Sequence, residues 1–457
     1  MWGVRVMRQG VDMEHHQSYV MRTIEERRVR LVRLWFTDVL GHLKSVAISP
    51  VELETAFEDG VQFDGSAIDG FSRVQETDVL AVPDASSFQL VSWGDGGDLS
   101  ARMFCDLMNL DGSPFEGDPR QVLKRNLGRA RDAGYTFMTS PEVEFFYFAS
   151  ADPRSGPQPL DNASYFDLTT FDASSDIRRA TLQRLEATGI PVEYSFHEDA
   201  PSQHEIDLRY TDGLSMADNL MTLRLIVREV ALEHGVHATF MPKPLGGEQG
   251  SGMHTHLSLW RGEENAFHDP DGEYQLSDVG RAFIAGLLRH GPEITAVTNQ
   301  LVNSYKRLIL GFEAPVHVTW ARSHRSALVR VPVTKRGKEA GGTRLEYRAP
   351  DPACNPYLAF SLILAAGLAG IEGGYRLEEE AQPDIFELSD ADRKAKGIRL
   401  LPTSLADALD QMETSALVRE ALGEHIFEWF LRNKRAEWND YKGHVSQFEL
   451  DRYLGSW

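Results

Sequence analysis

Cysteine is almost missing from this 457-residue chain: Cys105 and Cys354 are the only two. So few thiols exclude a disulfide framework and point to a reducing compartment. Basic residues are also scarce, 47 Lys and Arg against 68 Asp and Glu, for a net charge of −21. Sequence-independent nucleic-acid binding needs the opposite surface, so it is excluded. Long apolar runs are lacking too; the most apolar, Tyr357 to Ile371, is too short to span a bilayer. The N-terminus has no signal-peptide core, and Met7 and Met13 leave open an upstream start within the first dozen residues. HExxH and GK[ST] motifs are absent, which argues against a zincin and against a Walker loop. A cytoplasmic protein that binds neither membrane nor nucleic acid is expected.

What remains is a globular composition, 42% hydrophobic and 10% aromatic, in a chain too long for one ordinary core. From Val29, "VRLVRLWFTDVLGHLKSVAI" reads as two β-branched-rich strands about a glycine turn. "SPVELETAFEDG" then reads as a helix with Ser49 as N-cap, Pro50 in the first turn, Glu52 closing a capping box and Gly60 at the end. Gly, Pro and Asp cluster between Gly112 and Asp118, where a domain boundary is expected. "DPRQVLKRNLGRARDAG" opens the larger domain as a helix capped by Asp118 and Pro119 and stopped at Gly134. Beyond it, strands and helices alternate irregularly, which favours α+β with an antiparallel sheet over βαβ repeats. Asn355 and Pro356 start a buried helix, and "KRGKEAGGT", Lys335 to Thr343, reads as a surface loop.

Four strand-like segments carry polar residues on one face. Glu142 and Glu144 alternate with Val143 and Phe145; His254, His256 and Ser258 alternate with Thr255 and Leu257. Arg344, Glu346 and Arg348 oppose Leu345 and Tyr347, and Glu198 and Glu205 flank a turn-like insert. Each pattern alone is the ordinary solvated face of an antiparallel sheet. Four together, interleaved with large apolar side chains, line one cavity. Carboxylates crowded there must be protonated, paired or neutralised by cations. Glutamates with an imidazole and no thiolate suit Mg²⁺ or Mn²⁺. Arg307, Arg322, Arg325 and Arg330, close in sequence, point to an anionic substrate. Metal-assisted phosphoryl chemistry on a carboxylate is as far as spacing alone reaches.

The blocks "FDGSAIDGF", "PEVEFF", "HEDAPSQHEID", "MPKP", "GSGMHTHLSL", "NSYKRL…GFEAP…RS" and "RLEYRAPDPACNPYLAF" occur in an order that resembles the class I glutamine synthetase family, including actinobacterial γ-glutamylpolyamine synthetase members. The resemblance runs from about Met13 to Trp457. It implies a 1–14 extension, a 15–114 β-grasp domain and a 115–457 catalytic domain whose antiparallel sheet forms a helix-flanked funnel. It also implies a dodecamer with active sites shared between subunits. Carried over by position, Glu144, Glu198 and Glu205 hold one divalent metal, and Glu142, His254 and Glu346 a second. Glu193, His256, Ser258, Arg330 and Lys338, or Lys335 in its place, contact ATP. Gln249, Gly250, Arg307, Glu313, Arg325 and Arg348 surround L-glutamate and the transferred phosphoryl group. Asp64 from an adjacent subunit takes a proton from the amine, helped by Glu198, Tyr165 and Glu313, with Ala67 beside that site.

Three positions depart from the family pattern. Ala67 replaces a serine near the ammonium site, Gln249 replaces an asparagine near glutamate, and Phe386 stands where adenylylated members carry a tyrosine. The last excludes adenylylation there. The first two disturb the amine end and leave room for a bulkier amine; ammonia, the family's usual acceptor, is favoured, with a small polyamine as the alternative and a non-catalytic regulatory homologue as a remoter one.

Overall fold

The computed structural model describes residues 2–68, 78–91, 99–168, 170–309, 314–323, 326–381, 390–395 and 397–457, with side chains except at 2–12, 67, 390 and 394. The chain begins in one helix, α1 (Trp2–Arg27), which passes residue 14 without a break. Val20 and Ile24, one turn apart, bury its inner face in the smaller core.

Six strands follow among the described residues: β1 (Leu31–Thr37), β2 (Leu43–Ile48), β3 (Val61–Asp64), β4 (Asp78–Pro83), β5 (Gln89–Val91) and β6 (Ser100–Asn109). They order as β2-β1-β6-β4-β3, with β5 also on β6; β1 and β6 are parallel and the other pairs antiparallel. This is a β-grasp sheet, with α2 (Leu53–Asp59) packed on β4. Side-chain alternation sets its two faces. Val32, Leu34 and Phe36 enter the small core, whereas Trp35 turns the other way and packs edge-on to Phe104 in the large core, 5.6 Å between ring centres.

The expected capping box is not formed. Residues Pro50–Glu52 make a 3₁₀ turn before α2, and Ser49 makes no side-chain cap bond. The Glu52 amide already donates to the Ser49 carbonyl at 3.0 Å, so no donor is left for the hydroxyl.

Buried polar contacts join the two sheets. Arg120, on α3 (Pro119–Asp132), is 2% exposed and pairs with Asp84 and Asp106 of the small domain and with Asp218 of the large one. Gln300 and Asn355 donate to the carbonyls of Leu40, Asp38 and Val39 in the β1–β2 turn. Gly41 closes that turn at φ +84°, and a Cβ there would lie 3.0 Å from the Asn355 Cα.

The large sheet uses β7 (Thr136–Phe148), β8 (Val192–His197), β9 (Gln203–Leu208), β10 (Thr211–Asp212), β11 (His237–Thr239), β12 (Thr255–Arg261), β13 (Glu264–Asn265), β14 (His317–Ala321), β15 (Ala327–Arg330) and β16 (Leu345–Tyr347). Its spine is β14-β15-β16-β12-β7-β9-β8. All pairs are antiparallel except β14–β15, which is parallel and departs from the expectation. β7 lies between β12 and β9: Thr136–Pro141 pairs with β12 along one edge, and Glu142–Phe146 with β9 along the other. Pro141, which has no N–H to give a ladder, ends the β12 pairing. Polar residues of these strands line a cavity.

Helices cover the outer face: α4 (Ser175–Ala187), α5 (Gly213–Glu233), α6 (Asp278–Thr298) and α9 (Pro356–Glu372). Short helices α7 (Ser304–Arg307) and α8 (Glu339–Gly342) lie between them in sequence. Asn355 caps α9 by accepting from the Tyr357 amide at 3.1 Å, and the helix is buried nearly throughout. α6 and α9 cross closely; a Cβ on Gly286 would come within 2.1 Å of the Ala366 carbonyl. Among the described residues, no helix is long and apolar enough to cross a membrane. The Lys335–Thr343 stretch, expected as a plain loop, contains α8, and its lysines border a cleft.

Candidate active site

The strand faces identified from alternation meet at two adjoining spaces, the first a cavity of about 600 Å³. β7 supplies Glu142 and Glu144, the turn after β8 supplies Glu198, and β9 supplies Gln203, Glu205 and Asp207. The run into β12 adds Gln249, Gly250, Gly252 and His254; α7, β15 and the end of β16 add Arg307, Arg330 and Arg348. Cross-strand register sets the acids side by side, Glu142 opposite Asp207 and Glu144 opposite Glu205. Tyr165, Phe166, Tyr194 and Phe196 form an aromatic wall.

A second cleft of about 400 Å³ is lined by Glu193, Tyr210, His256, Ser258, Lys335, Lys338 and Arg344. Glu142, Tyr194 and Asp207 line both spaces. A cleft with lysines thus opens against a chamber of acids and arginines across a shared wall.

Pairing inside the chamber is uneven. Burial opposes ionisation of Glu142, yet hydrogen bonds from His254 and His256 (3.3 and 2.7 Å) outweigh it and hold its carboxyl well below the usual range. His256 in turn accepts from Arg344 Nε through Nδ1 at 3.3 Å, so its proton sits on the nitrogen that faces Glu142. Glu346 is fully buried between Arg330 and Arg348, bonding to both guanidiniums. Burial opposes its charge, and Arg348 foremost keeps it ionised. Burial and the nearby Arg348 depress the His254 imidazole to about 4. Arg307 is fixed by the carbonyls of Arg348, Ala349 and Pro350.

Glu144, Glu205 and Asp207 behave differently. Glu144 accepts from Gln203 Nε2 and the Gly252 amide, each at 2.9 Å. Burial and then the Glu198 charge still lift it to about 8. Burial, Glu144 and Asp207 push Glu205 well above its ordinary value, and burial lifts Asp207 to about 7. This surplus of oxygen donors, with an imidazole and no thiolate, fits hard divalent cations. Glu142, His254 and Glu346 bring ligand atoms within 4.8 Å of one another, and so do Glu142, Glu205 and Asp207.

A pH dependence follows. Glu144 and Glu205 bind their protons more tightly folded than unfolded, so stability without divalent ions falls as pH rises from near 4.5 through about 8. Divalent ions relieve the repulsion where the acids are ionised. Mg²⁺ or Mn²⁺ therefore raises the melting temperature more at pH 8 than at pH 5.5, and Glu205→Gln shrinks the difference; differential scanning fluorimetry measures both.

Several expected residues lie elsewhere. Asp64, expected at a neighbouring subunit's site, lines neither space of its own chain; on β3 it caps the following turn by accepting from the Ser66 amide at 3.0 Å. Arg322, one of the four arginines expected at an anion site, follows the end of β14 and lies over the Tyr274 ring at 4.3 Å. Glu313, Arg325, Phe386 and the side chain of Ala67 lie outside the described residues. Arg344, expected on a polar strand face, lines the second cleft, whereas Asp207 and Gln203 were not anticipated as site residues. The latter two share the Glu205 face at two-residue spacing, a signal present in "QHEIDL".

The chain matches the glutamine synthetase catalytic domain over residues 116–453 and the glutamine synthetase β-grasp domain over residues 28–110. It is 56% identical to a glutamine synthetase of Mycolicibacterium smegmatis over 446 residues, covering 97% of this chain and all of the relative. It is 47% identical to a glutamine synthetase of Methanosarcina mazei over 438 residues, covering 95% and 97%. A solved GmaS–ADP complex superposes with a TM-score of 0.84 at 31% identity, covering 95% of this chain and 99% of that one. These matches extend over both sheets and the residues that line the cavity, and the chain belongs to the class I glutamine synthetase family.

Proposed function

We propose that this chain is an ATP-dependent ligase that joins L-glutamate to an amine through γ-glutamyl phosphate, with ammonia as the acceptor. The observation that carries this reading is the wall of Glu142 and Asp207 shared by the lysine-bearing cleft and the acidic chamber. A nucleotide in the cleft presents its terminal phosphate to a carboxylate in the chamber across that wall.

Each residue has a part. Glu193, His256, Ser258 and Lys338 hold the nucleotide, with Arg344 and Lys335 at the same cleft. Gln249, Gly250 and Arg307 orient glutamate, and Arg330 and Arg348 face the phosphoryl oxygens. The two sets Glu142–His254–Glu346 and Glu144–Glu198–Glu205, with Asp207 alongside, would hold two ions, Mg²⁺ or Mn²⁺. Bound there, divalent ions supply charge neutralisation for the phosphoryl group. Arg325 and Glu313 complete the site on the family's pattern. Activation turns an inert carboxylate into an acyl phosphate, and the amine must reach it unprotonated. Asp64 of a neighbouring subunit, with Glu198 and Tyr165, removes that proton.

The aromatic wall and Ala67 favour a second acceptor class. Tyr194 is 55% exposed and Tyr165 40%, surfaces that suit the cation–π and apolar contacts of a longer amine. The distinguishing experiment measures glutamate-dependent ADP release with ammonium, putrescine, spermidine and ethanolamine side by side. Stimulation by ammonium supports the first reading, and preference for putrescine or spermidine the second. No stimulation by any of them removes both. Ala67→Ser raises turnover on ammonium several-fold if the missing hydroxyl biases the acceptor.

A homo-oligomer, as in the dodecamers that the family pattern implies, is the assembly that this reading requires. The C-terminal helix Gln447–Tyr453 leaves Phe448 62% exposed and the following Leu454 77% exposed, apolar surface that a second copy would cover. Deleting residues 446–457 lowers the assembly's mass in light scattering and lowers activity with it.

A further inference from the structure

Beneath the aromatic wall lies a cluster of buried charged groups that the mechanism above does not use. Asp161 and His197 are 4% and 0% exposed at their side chains. Asp161 Oδ1 accepts from His197 Nε2 at 3.2 Å and from the Ser202 amide at 2.8 Å. Its Oδ2 accepts from the Ala173 amide at 3.2 Å, at the far end of the same loop. His197 Nδ1 meets the Glu198 carbonyl at 2.6 Å, so both ring nitrogens face acceptors and the ring donates at both ends. The His197 carbonyl accepts from the Phe166 amide at 3.0 Å.

Those bonds hold a conformation that the loop would not keep by itself. Phe166 has φ +63° and Ser202 φ +57°, left-handed values that residues with a Cβ adopt only when held. Ser202 Oγ accepts from the amides of Leu160 and Asp161, at 2.6 and 3.1 Å. On this frame Tyr165 and Phe166 lie 3.9 Å apart between ring centres, and Phe196 lies 5.6 and 4.8 Å from them. All three rings line the chamber beside Glu198. Asp161, Asp172, His197 and His204 also bring ligand atoms within 4.8 Å. Arg178 Nη1 already bridges Asp172 and His204 there, at 2.7 and 2.8 Å, which balances the charge without a metal.

We propose that Asp161 and His197 form a positioning pair for the amine end of the chamber, fixing the Tyr165–Phe166 loop and the Glu198 backbone against each other. Neither touches substrate; the pair acts through the aromatic wall and the carboxylate it sets in place. This rests on the ligase reading above, because the amine end is defined by that reaction.

The test compares wild type with Asp161→Asn, which keeps the size and loses the charge. Steady-state kinetics with glutamate, MgATP and ammonium are measured alongside hydrogen exchange of the 163–168 amides. The pair predicts a KM for ammonium raised roughly tenfold or more, with those for glutamate and ATP within about threefold. Exchange in the loop quickens. Ser202→Ala, a milder cut in the same frame, shifts the ammonium KM in the same direction by about threefold; it decides the question if Asp161→Asn does not fold. An unchanged ammonium KM, or equal losses in all three KM values, overturns the proposal. If wild type shows no amine-stimulated ADP release, the ligase reading fails on its own, and the pair is judged on hydrogen exchange. Unchanged protection of 163–168 in Asp161→Asn then overturns it.

Discussion

Glu346→Gln lowers turnover by roughly two to four orders of magnitude while leaving the fold intact by circular dichroism. The carboxylate is wholly buried, bonds Arg330 and Arg348, and lies with His254 and Glu142 in a three-ligand cluster. Removing one partner of a buried pair costs about 3–5 kcal/mol, because the other charge is left uncompensated. At about 1.4 kcal/mol per decade, that range gives the stated loss if it falls on the transition state. Arg330 is 29% exposed at its side chain, so water recovers part of its share. Arg348, at 5%, is shielded from water. Steady-state kinetics check the prediction; turnover within tenfold of wild type would place Glu346 outside the chemistry.

The second large effect concerns Asp64. Asp64→Asn alone removes the group assigned to deprotonate the amine, a loss of roughly two to four decades in turnover. Co-expression with Glu346→Gln restores activity, because some sites then join an intact Asp64 from one subunit to an intact Glu346 from its neighbour. Random assembly of equal amounts makes about a quarter of sites whole. If Asp64 served its own chain's cavity, every site in the mixture would carry one defect and activity would stay near zero. Differently tagged subunits, purified through both tags, separate these outcomes.

Much of the site was legible because side chains in a strand alternate. "SPEVEFFYF" put Glu142 and Glu144 on one face and Val143 and Phe145 on the other, and the sheet has that arrangement. The same spacing in "QHEIDL" holds Gln203 and Asp207 beside Glu205, a signal that could have been read further. Register was not legible. That Glu142 faces Asp207 across β7 and β9 depends on how β9 slides along β7, which no local pattern records. Local rules also fail when two acceptors compete for one donor: the Ser49 carbonyl takes the Glu52 amide that the capping box needed. Arg322 shows the limit of sequence proximity, since it sits eight residues before Arg330 and points to Tyr274. The Asp161–His197 frame was invisible for a different reason. Its members are 36 residues apart and become partners only when the loop folds back onto β8 and β9.

The central claim is that ATP activates the γ-carboxylate of glutamate before an amine attacks it. Glutamate labelled with oxygen-18 in that carboxylate tests it directly, in the presence of Mg²⁺, ATP and ammonium, with the released phosphate analysed by mass spectrometry. The account predicts one labelled oxygen passed to phosphate for each amide formed. Amide formation with unlabelled phosphate, or ADP release without any amide, would contradict it.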